Sequence, residues 1–327
     1  MAAPVQYGPR IAAACAYLWH GQFLSRNRTV QVLAEMFGVT VSPATVTAMT
    51  RRVAGALGPA LEAIRGALIA SPVAHFDETG FRVAGGLAWV HSASAGRFAL
   101  ITAHPKRGRA AMDAAGVLPA FTGIAVHDAW APYDGYAGVA GHALCCAHAL
   151  RELQAVTDTV PGGQWCWAAQ AADALREMKR LAGALAADGT LAGDGPDLLA
   201  AARHEFRSAV LIGEKETSPR AGPLQRKHHA LARRLRQRQD DYLRFTTNPG
   251  VPFDNNAAER EIRMGKLRMK ISGCIRSMAG AGVFCAIRSY LATAAKHDVG
   301  CLDALTSAAT GTPWLPGTTR EPSPAAA

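Results

Sequence analysis

The chain has 327 residues, of which 49% are hydrophobic and 18% are charged, and this composition excludes a disordered protein and allows one large or two ordinary domains. Lys and Arg outnumber Asp and Glu by 35 to 25, which gives a formal charge of +10. Such a basic balance predicts a polyanionic partner, with nucleic acid ahead of an anionic membrane surface.

The cysteine count and the hydropathy pattern bear on the compartment. Seven cysteines, an odd number with no C-x-x-C pair, argue against a disulfide framework and predict a reducing environment. No run of 18 apolar residues occurs, and residues 1–10 lack the basic start and apolar core of a signal peptide. We therefore expect a soluble, cytoplasmic protein with no membrane partner, and its basic charge predicts that it associates with the nucleoid.

A helical region is predicted over residues 1–70. Within it, 29–57 has the spacing of two helices joined by a short turn, and Ser42 is placed as the N-cap of the second. Such a pair could be a helix-turn-helix that reads DNA, with Arg51 and Arg52 late on its second helix. The alternative is an ordinary helical hairpin, because the exposed face of that helix is poor in Arg, Asn and Gln.

Short apolar or alternating runs begin after Pro72 and predict strands. The runs are 73–77, 87–91, 98–102, 124–127 and 142–145. The first three are separated by Gly-containing turns and the last two alternate with helices, so we expect a mixed, five-stranded α/β sheet with flanking helices. Asp77 is predicted to end the first strand, and Asp128 follows the fourth.

Helical periodicity returns over residues 161–246, which we interpret as a helical insertion. Between Thr217 and Gln239 there are seven Lys or Arg and no acid, so this helix could lie along a phosphate backbone or could be a solvated surface. The segment 311–327 contains four prolines and is predicted to be a flexible tail.

A further helix is predicted to begin at residues 254–256, whose side chains offer N-cap acceptors. Glu259, Arg263, Lys266 and Lys270 then follow at intervals of 4, 3 and 4, which places one carboxylate at the head of a basic stripe. The simpler interpretation is a solvated helix face with an ordinary Glu–Arg pair.

Three acids stand out by position: Asp77, Asp128 and Glu259. Each alone could be a turn acid or a helix cap. Together they could hold two divalent cations, because Mg²⁺ and Mn²⁺ prefer oxygen ligands and two such ions support in-line phosphoryl displacement.

Four segments carry a resemblance to a known family. They are HFDETGFRV (75–83), HDAWAPYDGY (127–136), LCCAHALREL (144–153) and NPGVPFDNNAAEREIRMGKLRMKISGCIRS (248–277). They closely resemble the IS66 family of bacterial insertion-sequence transposases, and the resemblance runs from QYGPR at 6–10 to GTPW at 311–314. It implies a DDE-type transposase whose ribonuclease-H-like core, 71–160 and 247–300, is interrupted by the helical insertion.

The resemblance also implies roles for individual residues. Asp77, Asp128 and Glu259 match the catalytic acids that bind two Mg²⁺ or Mn²⁺ ions. Lys266 matches a basic residue near the terminal phosphate, while His148 and Arg151 fall on a C-x-x-H-x-x-R pattern of unassigned role. The expected DNA-binding residues are Arg260, Arg263, Lys266, Lys270, Arg151 and His148.

The implied activity is Mg²⁺-dependent strand cleavage followed by transfer of the freed 3′-OH. The implied partners are transposon-end and target DNA, a second copy of the chain, and accessory proteins encoded by the same element. The alternative is a catalytically inactive or truncated, transposase-derived DNA-binding protein.

Family members usually carry an upstream segment of clustered Cys and His that is thought to bind zinc, and this chain is expected to lack it. A zinc site formed by His142, Cys145, Cys146 and His148 is a second metal hypothesis. Trp130 and Tyr133 could stack on an unpaired base near the cut, or could belong to the core.

Overall fold

A computed structural model describes residues 7–188, 194–220 and 222–317. The strands are β1 (Val73–Val83), β2 (Gly86–Ala95), β3 (Phe98–His104), β4 (Ile124–His127) and β5 (Gly141–Leu144). The helices before β4 are α1 (Pro9–Ala16), α2 (Arg26–Phe37), α3 (Pro43–Ala56), α4 (Gly58–Ile69) and α5 (Arg109–Ala115). The helices after β5 are α6 (Cys146–Thr157), α7 (Trp167–Asp188), α8 (Gly195–Glu216), α9 (Pro223–Gln237), α10 (Gln239–Leu243), α11 (Asn256–Ser272), α12 (Met278–Lys296) and α13 (Cys301–Ala309). Most of the segment predicted to be a flexible tail, from 318 onward, lies outside the described residues.

The five strands form one sheet in the order β3-β2-β1-β4-β5. Strands β1, β2 and β3 are joined by tight turns and pair antiparallel, whereas β4 and β5 pair in parallel with Ile124 opposite Gly141. The predicted mixed α/β sheet with flanking helices is therefore confirmed.

The prediction that the first strand ends at Asp77 is wrong. β1 continues for six residues beyond Asp77, and its ladder with β2 runs to the pair Val83–Gly86. The turn between the two strands contains Ala84 and Gly85, both with positive φ. The strand continues because Thr79, Phe81 and Val83 are buried at two-residue steps.

The chain divides into two compact units. Unit 1 comprises the described parts of 1–123, 135–139 and 256–327, and unit 2 comprises those of 124–134 and 140–255. In unit 1, helices α1, α3, α12 and α13 contribute to one apolar cluster, while α11 and α12 contribute to a second cluster with the antiparallel strands.

Helix α12 covers the edge strand β3. Ser289 Oγ accepts a hydrogen bond from the Ile101 N–H at 2.7 Å, and Thr293 Oγ1 accepts one from the Ala99 N–H at 3.2 Å. These hydroxyls satisfy backbone groups that an open edge would expose. Among the described residues, α12 is also the one helix long and apolar enough to cross a membrane, and half of its most apolar window is buried inside the protein.

Side-chain caps define the starts of α3 and α12 in unit 1. Ser42 Oγ accepts from the Thr45 N–H at 3.0 Å, as predicted. Ser277 Oγ accepts from the Gly280 N–H at 3.1 Å and begins α12.

In unit 2, helices α7 and α8 approach closely at Gly213. A Cβ atom added to Gly213 would lie 2.3 Å from the Trp167 ring. We expect Gly213→Ala to destabilise the protein by about 1–3 kcal/mol, because the buried indole cannot move without repacking. Thermal denaturation measures the loss.

Gly183→Ala is the matched control, because Gly183 lies on α7 with no atom within 4 Å of an added Cβ among the described residues. It should stabilise the protein by roughly 0.5–1 kcal/mol through helix propensity. Equal melting temperatures for the two variants would show that the Gly213 contact does not constrain the packing.

Candidate active site

Two of the predicted acids lie on the same side of the sheet in unit 1. Asp77 shares its face of β1 with Phe81 and Val83, because strand residues two apart point the same way. Phe81 and Val83 pack in one apolar cluster with Ile262 of α11, which is one helical turn after Glu259. Helix α11 therefore lies over the face of β1 that carries Asp77.

Ser92 of β2 links the two elements. It is the register partner of Asp77. Its hydroxyl donates to the carbonyl of Ala258, the residue before Glu259, at 3.1 Å and lies 3.5 Å from the Asp77 carbonyl. The buried serine thus holds the first turn of α11 against β1 at the level of Asp77.

The next residue, Glu78, points to the opposite face of β1. Its side chain is 1% exposed, and Oε1 accepts hydrogen bonds from Arg107 Nε at 3.0 Å and Nη2 at 2.7 Å. The guanidinium carbon of Arg107 also lies over the Trp89 ring, 4.9 Å from the ring centroid. This ion pair, in which the carboxylate is buried and the guanidinium is half-buried, fixes the strand directly behind Asp77.

Asp128 belongs to unit 2 and directly follows β4. Its Oδ1 accepts a hydrogen bond from the backbone N–H of Trp130 at 2.9 Å. Asp128 lines a polar cavity of about 210 Å³ together with His148, Glu152, Arg234 and others. Arg234 contacts the Glu152 carboxylate and donates to the Tyr242 hydroxyl at 3.0 Å.

A second group of possible metal ligands lies next to Asp128. The His127 and His142 rings meet at 2.9 Å between Nε2 and Nδ1, and the Asp134 carboxylate is close enough to share a cation with them. His127 Nδ1 contacts the Asp128 carbonyl, which can only accept, so this nitrogen carries the proton and Nε2 is the acceptor. Burial lowers the pKa of His127 to about 3 and keeps the ring neutral.

The hypothesis of a zinc site from His142, Cys145, Cys146 and His148 is not supported. The Cys146 thiol is buried and donates to the Tyr242 carbonyl at 3.1 Å, while Cys145 Sγ accepts from the Asn255 N–H at 3.3 Å. Burial raises the pKa of Cys146 well above its ordinary value, which disfavours the thiolate that zinc requires. Ligand atoms of Cys145 and His148 lie within 4.8 Å of each other, but the four side chains do not form one metal-binding group among the described residues.

The two aromatic residues after Asp128 have different environments. Tyr133 is 2% exposed and stacks on His127 with ring centroids 4.4 Å apart, so it belongs to the core. Trp130 is half-buried and lines the Asp128 cavity.

The basic residues predicted to bind DNA differ in exposure. On α11, Arg260, Arg263, Lys266 and Lys270 are exposed. On α6, Arg151 is exposed and His148 is half-buried in the wall of the Asp128 cavity.

Part of the basic segment of α9 is neutralised by acids from other elements. Arg234 and Arg236 pair with Glu152 and Glu214, and Arg238, which follows the helix, pairs with Asp134 at 2.8 Å and Asp241 at 2.9 Å. Arg226, Lys227 and Arg233 of the same helix are exposed.

Sequence reasoning did not identify several residues that position the site. Ser92, the Glu78–Arg107 pair and the His127–His142 pair were not selected. One signal was present for Glu78, since an acid that interrupts an apolar alternation inside a strand indicates a buried ion pair. Ser92 carries no comparable local signal. His142 was selected only as a zinc ligand, and its contact with His127 arises from the tertiary structure.

The sheet is mixed and has flanking helices, which defines an α/β protein. Two carboxylates on the same side of its central strand form an acidic candidate active site. The model of the Transposase IS66 family matches residues 4–282, so the chain belongs to that family and the resemblance seen in its motifs is confirmed. No curated protein matches the chain.

Proposed function

We propose that this protein is a DDE transposase that binds the ends of an insertion sequence, cleaves a DNA strand and joins the freed 3′-OH to target DNA. The family match over residues 4–282 carries the proposal. Asp77, Asp128 and Glu259 are its catalytic residues and metal ligands. The presence of all three acids favours an active enzyme over an inactive DNA-binding derivative.

The proposed core is ribonuclease-H-like. Three antiparallel strands followed by a parallel pair, in the order β3-β2-β1-β4-β5, support this assignment. The core spans 71–160 and 247–300, and helices α7, α8, α9 and α10 form an insertion over 161–246 before the last acid. The helical region 1–70 precedes the core.

Chain connectivity supports the addition of Asp128 to the two acids of unit 1. Asn255 contacts Cys145, which lines the Asp128 cavity, and Glu259 follows Asn255 by only four residues. Four residues reach at most about 14 Å when fully extended and about 6 Å as one helical turn. We therefore propose that the three carboxylates converge.

The donor set fits hard divalent cations. Three carboxylates offer only oxygen, which suits Mg²⁺ or Mn²⁺ and is a poor match for zinc. When bound, two such ions activate the attacking hydroxyl and stabilise the departing oxygen of an in-line displacement.

The chain's own backbone and side-chain groups orient these ligands. Trp130 N–H fixes one oxygen of Asp128, Ser92 holds the turn that carries Glu259, and the Glu78–Arg107 pair anchors the strand behind Asp77. Because these contacts already hold the ligands in position, no reorganisation of the carboxylates is required when DNA binds.

Helix α11 is proposed to contact the DNA backbone. Arg260, Arg263, Lys266 and Lys270 follow the carboxylate of Glu259 along an exposed surface, and Lys266 is proposed to lie near the terminal phosphate. Arg151 and His148 of α6 are proposed further contacts. The proposed partners are transposon-end and target DNA, further copies of the chain on that DNA, and accessory proteins of the element.

We expect binding to duplex DNA to weaken steeply with salt, because each phosphate contact releases condensed counterions. Lys266→Ala and Lys270→Ala should each reduce the slope of log K against log salt by about one unit. Fluorescence anisotropy at several salt concentrations measures the slope.

Lys106→Ala is the control, since Lys106 is exposed and lies outside α11. A slope that is the same in all three variants would mean that α11 does not contact phosphates.

The activity itself is tested with oligonucleotides that carry the inverted repeats flanking the gene. Cleavage next to the repeat, dependent on Mg²⁺, is the expected result. The assay is repeated with Mn²⁺ and with the upstream Cys- and His-rich family segment supplied in trans. If the protein binds the DNA under these conditions but does not cleave it, the inactive DNA-binding alternative is favoured.

A further inference from the structure

A basic cavity lies within unit 1, away from the acids. Its volume is about 240 Å³, and its walls come from the turn after α1, the start of α2, the middle of α3, the end of α11 and the start of α12. Four arginines line it, Arg26, Arg51, Arg268 and Arg276, and no acid does. Four guanidinium groups around one cavity repel each other unless an anion binds among them.

Two buried side chains in this wall carry polar atoms without a hydrogen-bond partner among the described residues. His20 is 2% exposed and Arg268 is 6% exposed. Neither ring nitrogen of His20, nor Nε of Arg268, has a hydrogen-bond partner in the part of the chain that the structure describes. Buried polar atoms are usually satisfied, so an unsatisfied group in a cavity wall indicates a ligand or ordered water.

Two helix N-termini also contribute to the cavity. Ser25, the N-cap of α2, and Ser277, the N-cap of α12, both line it. The first turn of a helix presents N–H groups and a partial positive charge, which together favour phosphate.

We propose that this cavity binds a phosphate group. Its arginines suit the planar, bidentate recognition of phosphate oxygens, and its size admits a phosphate with part of an attached sugar. Two sources share this chemistry, a phosphodiester of bound DNA and a free nucleotide. The proposal does not depend on strand cleavage, although its DNA branch rests on the proposed function.

Adjacent arginines on α3 provide a matched pair of variants. Arg51 and Arg52 are both exposed, but only Arg51 lines the cavity. We expect Arg51→Ala and Arg276→Ala each to weaken binding of inorganic phosphate by ~10-fold, the loss typical of one charge-assisted hydrogen bond. Arg52→Ala should leave the affinity unchanged. Calorimetric titration of the full chain with inorganic phosphate measures these affinities without any cleavage.

A cysteine in the wall of the cavity gives an independent measurement. Cys274 is exposed and lines the cavity, whereas Cys301 is partly exposed and lies elsewhere. Bound phosphate should slow alkylation of Cys274 and leave that of Cys301 unchanged. Mass spectrometry of the alkylated peptides reads both rates in one sample.

The source of the phosphate is found by comparing a mononucleotide with a random-sequence duplex. Protection of Cys274 by the duplex at concentrations where the mononucleotide has no effect assigns the cavity to DNA, and the reverse assigns it to a nucleotide. The proposal is overturned if phosphate neither binds nor protects Cys274, or if Arg51→Ala and Arg52→Ala reduce affinity equally, which would indicate surface charge alone.

Discussion

Glu259→Gln is expected to reduce Mg²⁺-dependent strand cleavage by at least about 100-fold, which corresponds to roughly 3 kcal/mol of lost transition-state stabilisation. The amide keeps the size of the side chain but lacks the charge that holds a hard cation. The fold should remain intact, because Ser92 contacts the carbonyl of Ala258 and does not depend on the Glu259 side chain. DNA affinity measured without metal should stay the same or rise, because the substitution removes one negative charge from the basic helix α11.

Cleavage rates, melting temperatures and DNA affinities are measured together for this variant. Glu216→Gln, which neutralises an exposed acid on α8, is the control and should cleave at the parental rate. If Glu259→Gln also cleaved at the parental rate, Glu259 would not be catalytic. An unfolded variant would instead assign the residue a structural role.

Arg107→Met is expected to destabilise the protein by about 3 kcal/mol, with a fall in melting temperature of roughly 6–12 °C. The substitution removes both hydrogen bonds that Arg107 donates to a carboxylate with 1% side-chain exposure, and the buried Glu78 charge loses this compensation. Glu78 directly follows Asp77 on β1, so a shift of this strand would also displace the Asp77 carboxylate. The rate of strand cleavage should therefore fall as well. Thermal and denaturant unfolding measure the loss of stability.

The double variant Glu78→Gln with Arg107→Met completes a double-mutant cycle. It should recover part of the lost stability, because no buried charge remains. Lys106→Met, at the exposed neighbouring position, should have little effect. A double variant less stable than Arg107→Met would show that the ion pair is not the source of the loss.

Local signals predicted those elements whose ends are determined by nearby residues. Ser42 and Pro43 predicted the start of α3, and the run Ile124–His127 predicted β4 to the residue, because a cap and a short apolar run are properties of adjacent positions. The helix that carries Glu259 was predicted for the same reason.

Elements whose ends depend on distant partners were predicted less well. β1 was predicted to stop at Asp77, since the polar Glu78 resembles a turn residue unless Arg107, 29 positions away, is known to pair with it. Helix α13 was not predicted. The contacts of Ser92 with Ala258, 166 residues away, and of His127 with His142 arise only from the tertiary structure.

The convergence of Asp77, Asp128 and Glu259 on shared cations is tested most directly by iron-mediated cleavage of the protein. Fe²⁺ that replaces Mg²⁺ in the DNA complex generates hydroxyl radicals with ascorbate and peroxide, and these cut the polypeptide next to the bound ion. We predict cuts in three segments, near residues 77, 128 and 259, that excess Mg²⁺ suppresses and that Glu259→Gln weakens at all three positions. Cuts confined to the neighbourhood of His127, Asp134 and His142, and unchanged by Glu259→Gln, would contradict a shared site of three acids.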